Sequence, residues 1–223
     1  MRATAYMTVE SGDSQVARWL AAIRNTVAPR PHLQLVPARC GLIVVDMQCY
    51  FAHPEGRCYL PATIATIPNV MALVDAWRSS GGSIFFTRHG RTGPEDLGMF
   101  GRFFSDHIRY HEPDSRLIDE LAPKPSEPVI HKTTYDAFFG TKLDTLLQQH
   151  HLDQVLVTGV LTHLCCDTTA RAAFCRGFEV YIAADATASS TEQLHVGALL
   201  GLADGVAVIQ STREILGTCN TQK

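Results

Sequence analysis

The chain has 223 residues, 46% of them hydrophobic, and a formal net charge of −3, so it is long enough for one α/β domain with a substantial core. The balance is only mildly acidic and no block of Lys and Arg occurs, which argues against nucleic acid and membrane surfaces as partners. No apolar run approaches the ~20 residues that span a bilayer, and the N-terminus lacks a secretory pattern, so a cytoplasmic protein is expected.

The cysteines do not form a recognisable framework. There are seven, an odd number without CxxC spacing, at positions 40, 49, 58, 165, 166, 175 and 219. This pattern argues against a disulfide scaffold, a zinc ribbon and a thioredoxin-like redox pair. We expect most of these residues to be free thiols that are buried as packing.

The chain begins with a helical pattern over residues 14–27, where apolar residues recur at every third or fourth position. Pro29 and Pro31 then interrupt it. We therefore divide the chain into an N-terminal extension with one amphipathic helix, residues 1–35, and a main domain, residues 36–223. The helix is expected to pack on the main domain or on a second subunit.

Strand-like and helix-like segments then alternate. Strands are predicted at 41–48, 83–88, 128–132, 154–160, 179–185 and 205–210, and helices at 64–80, 141–150, 163–177 and 191–203. The alternation predicts right-handed βαβ units and a three-layer α/β/α sandwich around a doubly wound, mostly parallel six-stranded sheet. Ligands of such sheets bind beyond the carboxyl ends of the strands.

One connection is unusually long. Residues 89–127 are rich in Gly, Pro and aromatic residues and show little regular pattern. A connection of this length is typical of a lid or a binding loop.

Candidate reactive residues lie at the ends of three predicted strands: Asp46, Lys132 and the pair Cys165/Cys166. Each has an ordinary structural interpretation, since the Asp could cap a turn, the Lys could be solvated and a Cys could be packing. However, a carboxylate in the apolar run LIVVDM must be paired or hydrogen-bonded. The lysine at another strand end is an available partner.

These groups could together perform nucleophilic acyl transfer without a metal. A cysteine at a helix N-terminus beside an ammonium is expected to have a pKa below the usual ~8.5. The Asp could take the thiol proton and return it to a leaving amine. Backbone N–H groups at the strand-to-helix turn could form an oxyanion hole.

Three segments carry a resemblance to a known family: LIVVDMQCYF, VIHKTTYDAFFGTKLDTLL and VLVTGVLTHLCCDTTARAAF. They are similar to the isochorismatase-like (cysteine hydrolase) superfamily, and the resemblance spans about residues 40–216. It implies that Cys165 is the nucleophile, Asp46 the base and Lys132 the triad lysine. Cys166 falls where the family usually has an apolar residue.

The resemblance has further implications. It implies a non-proline cis peptide bond between Val160 and Leu161, and an oxyanion hole built from the N–H groups of Leu161 and Cys165. It also implies a small-molecule substrate and a homodimer or homotetramer.

Residues expected to contact the substrate are His89, Phe104, Tyr135, Phe138 and Thr162, and the aromatic ones among them suit a planar or cyclic molecule.

The branch of the superfamily is the open point. Cys165 favours cleavage of an amide, ureido or imide-type C–N bond through a thioester. The alternative is a vinyl-ether hydrolase that uses Asp46 as an acid, and a catalytically idle scaffold is the third possibility. The Asp-x-His segment of the nicotinamidase metal site is absent, and scattered histidines such as His53 and His89 make a poor zinc site. We therefore expect no metal and no cofactor.

Overall fold

A computed structural model describes residues 3–221 of the chain. Six parallel strands form a single sheet in the order β3-β2-β1-β4-β5-β6. The strands are β1 (Cys40–Val45), β2 (Ile84–His89), β3 (Val129–Lys132), β4 (Gln154–Val160), β5 (Glu179–Ala188) and β6 (Ala207–Gln210).

Helices cover both faces of this sheet. They are α1 (Gly12–Thr26), α2 (Cys49–Ala52), α3 (Thr63–Ser80), α4 (Phe100–Phe103), α5 (Leu143–Gln149), α6 (Asp167–Cys175), α7 (Glu192–Gly205) and α8 (Thr212–Thr221). Alternate residues of β1 point to opposite faces, so Ile43 enters the core beneath α1, α5, α6 and α7, whereas Leu42 enters the core beneath α3 and α8. The predicted three-layer α/β/α sandwich is confirmed.

The strand order creates a crevice between β1 and β4, where the chain connections lead away in opposite directions. Gly159 of β4 has φ +100°, and a Cβ at this position would lie 2.1 Å from the carbonyl oxygen of Val45. Only glycine allows this approach of the two strands. The residues that follow Val45 and Val160 are thereby brought close together.

Several helical elements differ from the sequence-based expectation, and the one-turn helices α2 and α4 were not predicted. The helix predicted at 163–177 begins with a π-type turn, Thr162–Cys166, before α6 starts. Helix α8 was not predicted, although Ser211 and Glu214 form a capping box, in which the Glu214 N–H donates to Ser211 Oγ (3.2 Å) and the Ser211 N–H donates to Glu214 Oε2 (2.9 Å).

The N-terminal helix is an integral part of one core. Val16, Trp19, Leu20 and Ile23 of α1 are at most 4% exposed and pack with residues of α7 and β5. Its contacts are therefore made within the chain. Among residues 3–221, no helix has the length and apolar character needed to cross a membrane.

The cysteines are free thiols, as expected, but fewer of them are buried than predicted. Cys40, Cys165 and Cys166 are buried, whereas Cys58 and Cys175 are exposed and the other two are partly buried.

Candidate active site

Asp46 follows directly after β1 and is held by the neighbouring strand. Its φ is +48°, a left-handed conformation that Asp tolerates better than most residues. Thr87 of β2 contacts it twice: its hydroxyl donates to Asp46 Oδ1 (2.6 Å) and accepts from the Asp46 N–H (3.1 Å). Both residues are completely buried. The carboxylate therefore has a fixed orientation.

Lys132 is the last residue of β3, and its side chain reaches across β2 to Asp46. Its Nζ lies 2.7 Å from Asp46 Oδ2, with both side chains fully buried. The ammonium also donates to the Thr134 carbonyl (2.9 Å) and to Cys165 Sγ (3.3 Å). Asp46 Oδ2 has close ionic contact with the lysine but no hydrogen bond of regular geometry. This oxygen therefore retains the capacity to accept a proton.

Cys165 lies in the π-type turn after β4 and is 5% exposed. The turn closes on itself, because the Leu161 carbonyl accepts from the N–H groups of Leu164 and Cys166, at 3.1 Å each. The Val160–Leu161 peptide bond is cis. The neighbouring Cys166 is fully buried, and its thiol donates to the Thr158 carbonyl at 3.8 Å.

The electrostatics of the site correct one sequence-based expectation. Burial raises the pKa of the Cys165 thiol to about 12; the positive charge of Lys132 opposes this shift, and the negative charge of Asp46 adds to it. The expected lowering was therefore wrong for the resting site, because desolvation disfavours a thiolate more than one ammonium favours it. Burial alone lowers the pKa of Lys132, but Asp46 and Cys165 outweigh it, so the net shift is upward. The resting site contains a thiol beside a carboxylate–ammonium pair.

A cavity of about 560 Å³ opens onto Cys165. His89, Phe104 and Tyr135, three of the residues expected to contact a substrate, lie in its wall. Phe100 packs among them, with ring centroids 5.4 Å from His89, 5.7 Å from Phe104 and 4.7 Å from Tyr135. One side of the cavity is thus an aromatic cluster.

Two of the expected substrate contacts are not in the cavity wall. Phe138 is 5% exposed and packs in the core against Phe178, at a centroid distance of 6.1 Å. Thr162 is completely buried, and its hydroxyl hydrogen-bonds to His195 Nδ1 at 2.8 Å. Neither side chain therefore faces the cavity: Phe138 points into the core, and Thr162 points beneath the turn.

His89 is a polar group in the aromatic wall. It is 6% exposed, and its Nδ1 is buried without a hydrogen-bond partner. Burial, assisted by the charge of Lys132, lowers the pKa of His89 to about 3, so the ring is neutral at physiological pH. A neutral imidazole has one N–H donor and one acceptor.

Arg57 binds the long connection at the edge of the cavity. Its guanidinium forms ion pairs with Asp106 (2.8 Å), Glu112 (2.7 Å) and Asp114 (2.8 Å). Arg57 and Asp106 belong to the cavity wall. The segment 89–127 thus contributes His89, Phe100 and Phe104 of the aromatic cluster and Asp106 of a polar edge, and its role as a binding loop stays a prediction.

Sequence reasoning missed Thr87, although a polar residue within the strand-like segment IFFTRH was a usable signal.

His53 is exposed and lies outside the cavity wall. Across residues 3–221, no three His, Cys, Asp or Glu side chains are grouped so as to hold a metal ion.

Comparisons with known proteins show the family of the chain. A family model described as the Isochorismatase domain matches residues 40–214. Nicotinamidase 3 of Arabidopsis thaliana is 37% identical over 172 residues, which cover 76% of this chain and 83% of that protein. Ureidoacrylate amidohydrolase RutB of Pantoea ananatis is 28% identical over 198 residues, covering 75% and 76%. A solved structure of a cysteine hydrolase from Pseudomonas syringae pv. phaseolicola superposes with a TM-score of 0.81 at 26% identity, covering 86% of this chain and 97% of that one. The chain belongs to the isochorismatase family and is a hydrolase of that family.

Proposed function

We propose that the chain hydrolyses a C–N bond of a small amide, ureide or imide, with Cys165 as nucleophile, Asp46 as proton carrier and Lys132 as their cationic partner. One observation carries the proposal: Lys132 Nζ lies 2.7 Å from Asp46 Oδ2 and 3.3 Å from Cys165 Sγ, at the floor of a cavity. A sulfur nucleophile and a proton acceptor thus each contact the same fixed positive charge.

The first half-reaction starts from the neutral thiol. Asp46 takes the proton from Cys165 as Sγ attacks the carbonyl carbon, so the thiolate forms only when substrate is present. The developing oxyanion receives hydrogen bonds from the N–H groups of Leu161 and Cys165. Protonated Asp46 then gives its proton to the leaving nitrogen, the C–N bond breaks, and ammonia or an amine leaves a thioester on Cys165.

The second half-reaction regenerates the site. Asp46, again ionised, removes a proton from a water molecule whose oxygen attacks the thioester carbon. Collapse of this intermediate breaks the C–S bond and releases the acid, and Cys165 recovers its proton from Asp46. Lys132 keeps one positive charge beside a net negative charge through both halves, which limits the cost of holding that charge in a buried site.

The cavity supports the proposed class of substrate. A volume of about 560 Å³ suits a small molecule. The aromatic wall formed by His89, Phe100, Phe104 and Tyr135 favours a flat or cyclic group stacked there. The neutral His89 ring adds one hydrogen-bonding group. The names of two relatives, a nicotinamidase and a ureidoacrylate amidohydrolase, support C–N hydrolysis.

The competing function is vinyl-ether hydrolysis with Asp46 as the acid and Cys165 as a bystander. It uses the same carboxylate but predicts no bond to sulfur. Removal of the sulfur therefore separates the two functions.

The test is release of ammonia from a panel of small amides, ureides and carbamoyl compounds, beside isochorismate as the ether substrate. We expect turnover of at least one C–N compound, and a loss of at least about a thousandfold in Cys165→Ala. Cys166→Ala is the matched control and should retain most activity, because its thiol points into the core. Ether cleavage that survives in Cys165→Ala, without amide turnover in the unaltered chain, would establish the competing function.

A further inference from the structure

The turn that carries Cys165 is tied to helix α7 by one buried hydrogen bond. Thr162, the first residue of the turn, contacts His195 Nδ1 through its hydroxyl at 2.8 Å. Both side chains are completely inaccessible to solvent. Since a bond between two buried polar groups is costly to lose, it restricts the position of the turn.

His195 is in turn enclosed by two aromatic residues of the N-terminal segment. The Trp19 ring lies 4.6 Å from the His195 ring, and the Tyr6 ring lies 5.7 Å from it, measured between centroids. This burial lowers the pKa of His195 to about 3, so the imidazole is neutral. The ring that meets Thr162 is therefore surrounded by packing contributed from outside the matched family region, residues 40–214.

Helix α1 is fixed to α7 immediately beside this histidine. Glu192, in the first turn of α7, accepts hydrogen bonds on one carboxylate oxygen from Trp19 Nε1 (2.9 Å), Gln15 Nε2 (2.6 Å) and Arg18 Nη2 (3.0 Å). His195 follows one turn later on the same helix. The position of Trp19 over His195 is thus set by apolar packing and by the hydrogen bond from Trp19 to Glu192.

The same segment also reaches the cavity. The Thr4 N–H donates to the Ser190 carbonyl, and the Tyr6 hydroxyl accepts from the Ser189 N–H, both at 2.9 Å. Ala3 and Ser190 belong to the cavity wall. The N-terminal segment is therefore connected to the site at its wall as well as beneath its turn.

We propose that residues 3–26 act as a brace for the turn that carries Cys165: Trp19 and Tyr6 fix His195, and His195 fixes the turn through Thr162. These four are positioning residues and do not touch the reacting atoms. The brace depends on the proposed function in one respect only, namely that Cys165 in this turn is the nucleophile. The mechanical link from α1 to the turn can be tested without any substrate.

The experiment compares amide hydrogen exchange of residues 161–167 with that of β1 as an internal reference. Thr162→Val has nearly the shape of Thr but removes the hydrogen bond, His195→Phe replaces the imidazole by an apolar ring that cannot form it, and Trp19→Leu removes the ring over His195. Thr162→Ser retains the hydroxyl. Arg24→Ala is the matched control on α1, because it breaks the contact with Glu214 of α8 (2.6 Å) and leaves His195 untouched. On any C–N substrate found, kcat and KM are measured for the same variants.

We expect exchange in residues 161–167 to accelerate by at least about fivefold relative to β1 in Thr162→Val, His195→Phe and Trp19→Leu. Thr162→Ser and Arg24→Ala should stay within about twofold of the unaltered chain. When hydrolysis of a C–N substrate is measured, kcat should fall about tenfold at nearly constant KM in Thr162→Val, His195→Phe and Trp19→Leu.

Equal exchange of residues 161–167 in folded Thr162→Val and in the unaltered chain would overturn the proposal. So would acceleration that is the same in β1 as in the turn, since that is a general loss of stability. If Trp19→Leu fails to fold, Thr162→Val and His195→Phe still decide the outcome. An unaltered chain without any hydrolase activity would refute the proposed function but leave this exchange comparison valid.

Discussion

Thr87 is the residue that orients the proposed proton carrier. Its single hydroxyl donates to Asp46 Oδ1 and accepts from the Asp46 N–H, so it fixes the carboxylate and the left-handed backbone together. Because Oδ1 is occupied by Thr87, Oδ2 is the oxygen left facing Lys132 and available to the thiol. In the proposed mechanism Oδ1 therefore holds the carboxylate in place, and Oδ2 accepts and returns the proton.

Replacement of Thr87 by Val should therefore slow the reaction without creating a cavity in the core. Val has nearly the same shape but leaves one buried carboxylate oxygen without its donor, which costs about 1.5–3 kcal/mol for a bond to a charged group. We expect kcat to fall at least about tenfold, measured by ammonia release. Thr87→Ser keeps the hydroxyl and should recover most of the rate; equal rates for the Val and Ser variants would show that the hydroxyl has no such role.

The strand ends explain why much of the site could be predicted from sequence. Asp46, Lys132 and Cys165 each interrupt or follow a β-type run, and the βαβ alternation places such positions at one edge of a parallel sheet. Local pattern and topology therefore suffice to bring them together. The nucleophile, by contrast, was distinguished from Cys166 by the family resemblance, because two adjacent cysteines have the same local pattern.

What could not be predicted depends on tertiary burial. The pKa of Cys165 rises because the folded chain buries the thiol, and no local feature of the sequence reports that burial. Phe138 and Tyr135 are three residues apart in one aromatic run, yet one enters the core and the other the cavity wall. The docking of α1 on α7 was left open between this chain and a second subunit for the same reason.

Across the molecule, the fold keeps two buried histidines uncharged: His89 in the cavity wall and His195 between α7 and the N-terminal segment. Burial lowers the pKa of both His89 and His195 to about 3, whereas an unfolded histidine titrates near 6.5. Below about pH 6.5 the unfolded chain therefore binds protons that the folded chain does not. The free energy of unfolding must decrease as the pH falls from 6.5 toward 3.

This dependence can be measured by urea denaturation at about pH 7.5 and about pH 5. Each of the two histidines should lower the free energy of unfolding at the lower pH by about 2 kcal/mol. His195→Asn keeps a polar atom near the position of Nδ1 but has no titrating ring, so it should lose roughly half of the histidine contribution. The same pH dependence in His195→Asn and in the unaltered chain would mean that His195 is protonated in the folded state.

The proposed mechanism requires a covalent bond between the substrate acyl group and Cys165, and intact-protein mass spectrometry of an acid-quenched reaction detects such a bond. With a C–N substrate from the panel, we expect a mass increase equal to the acyl group less one hydrogen, mapped by peptide analysis to Cys165 and absent in Cys165→Ala. Steady turnover with no adduct, together with undiminished turnover by Cys165→Ala, would contradict it.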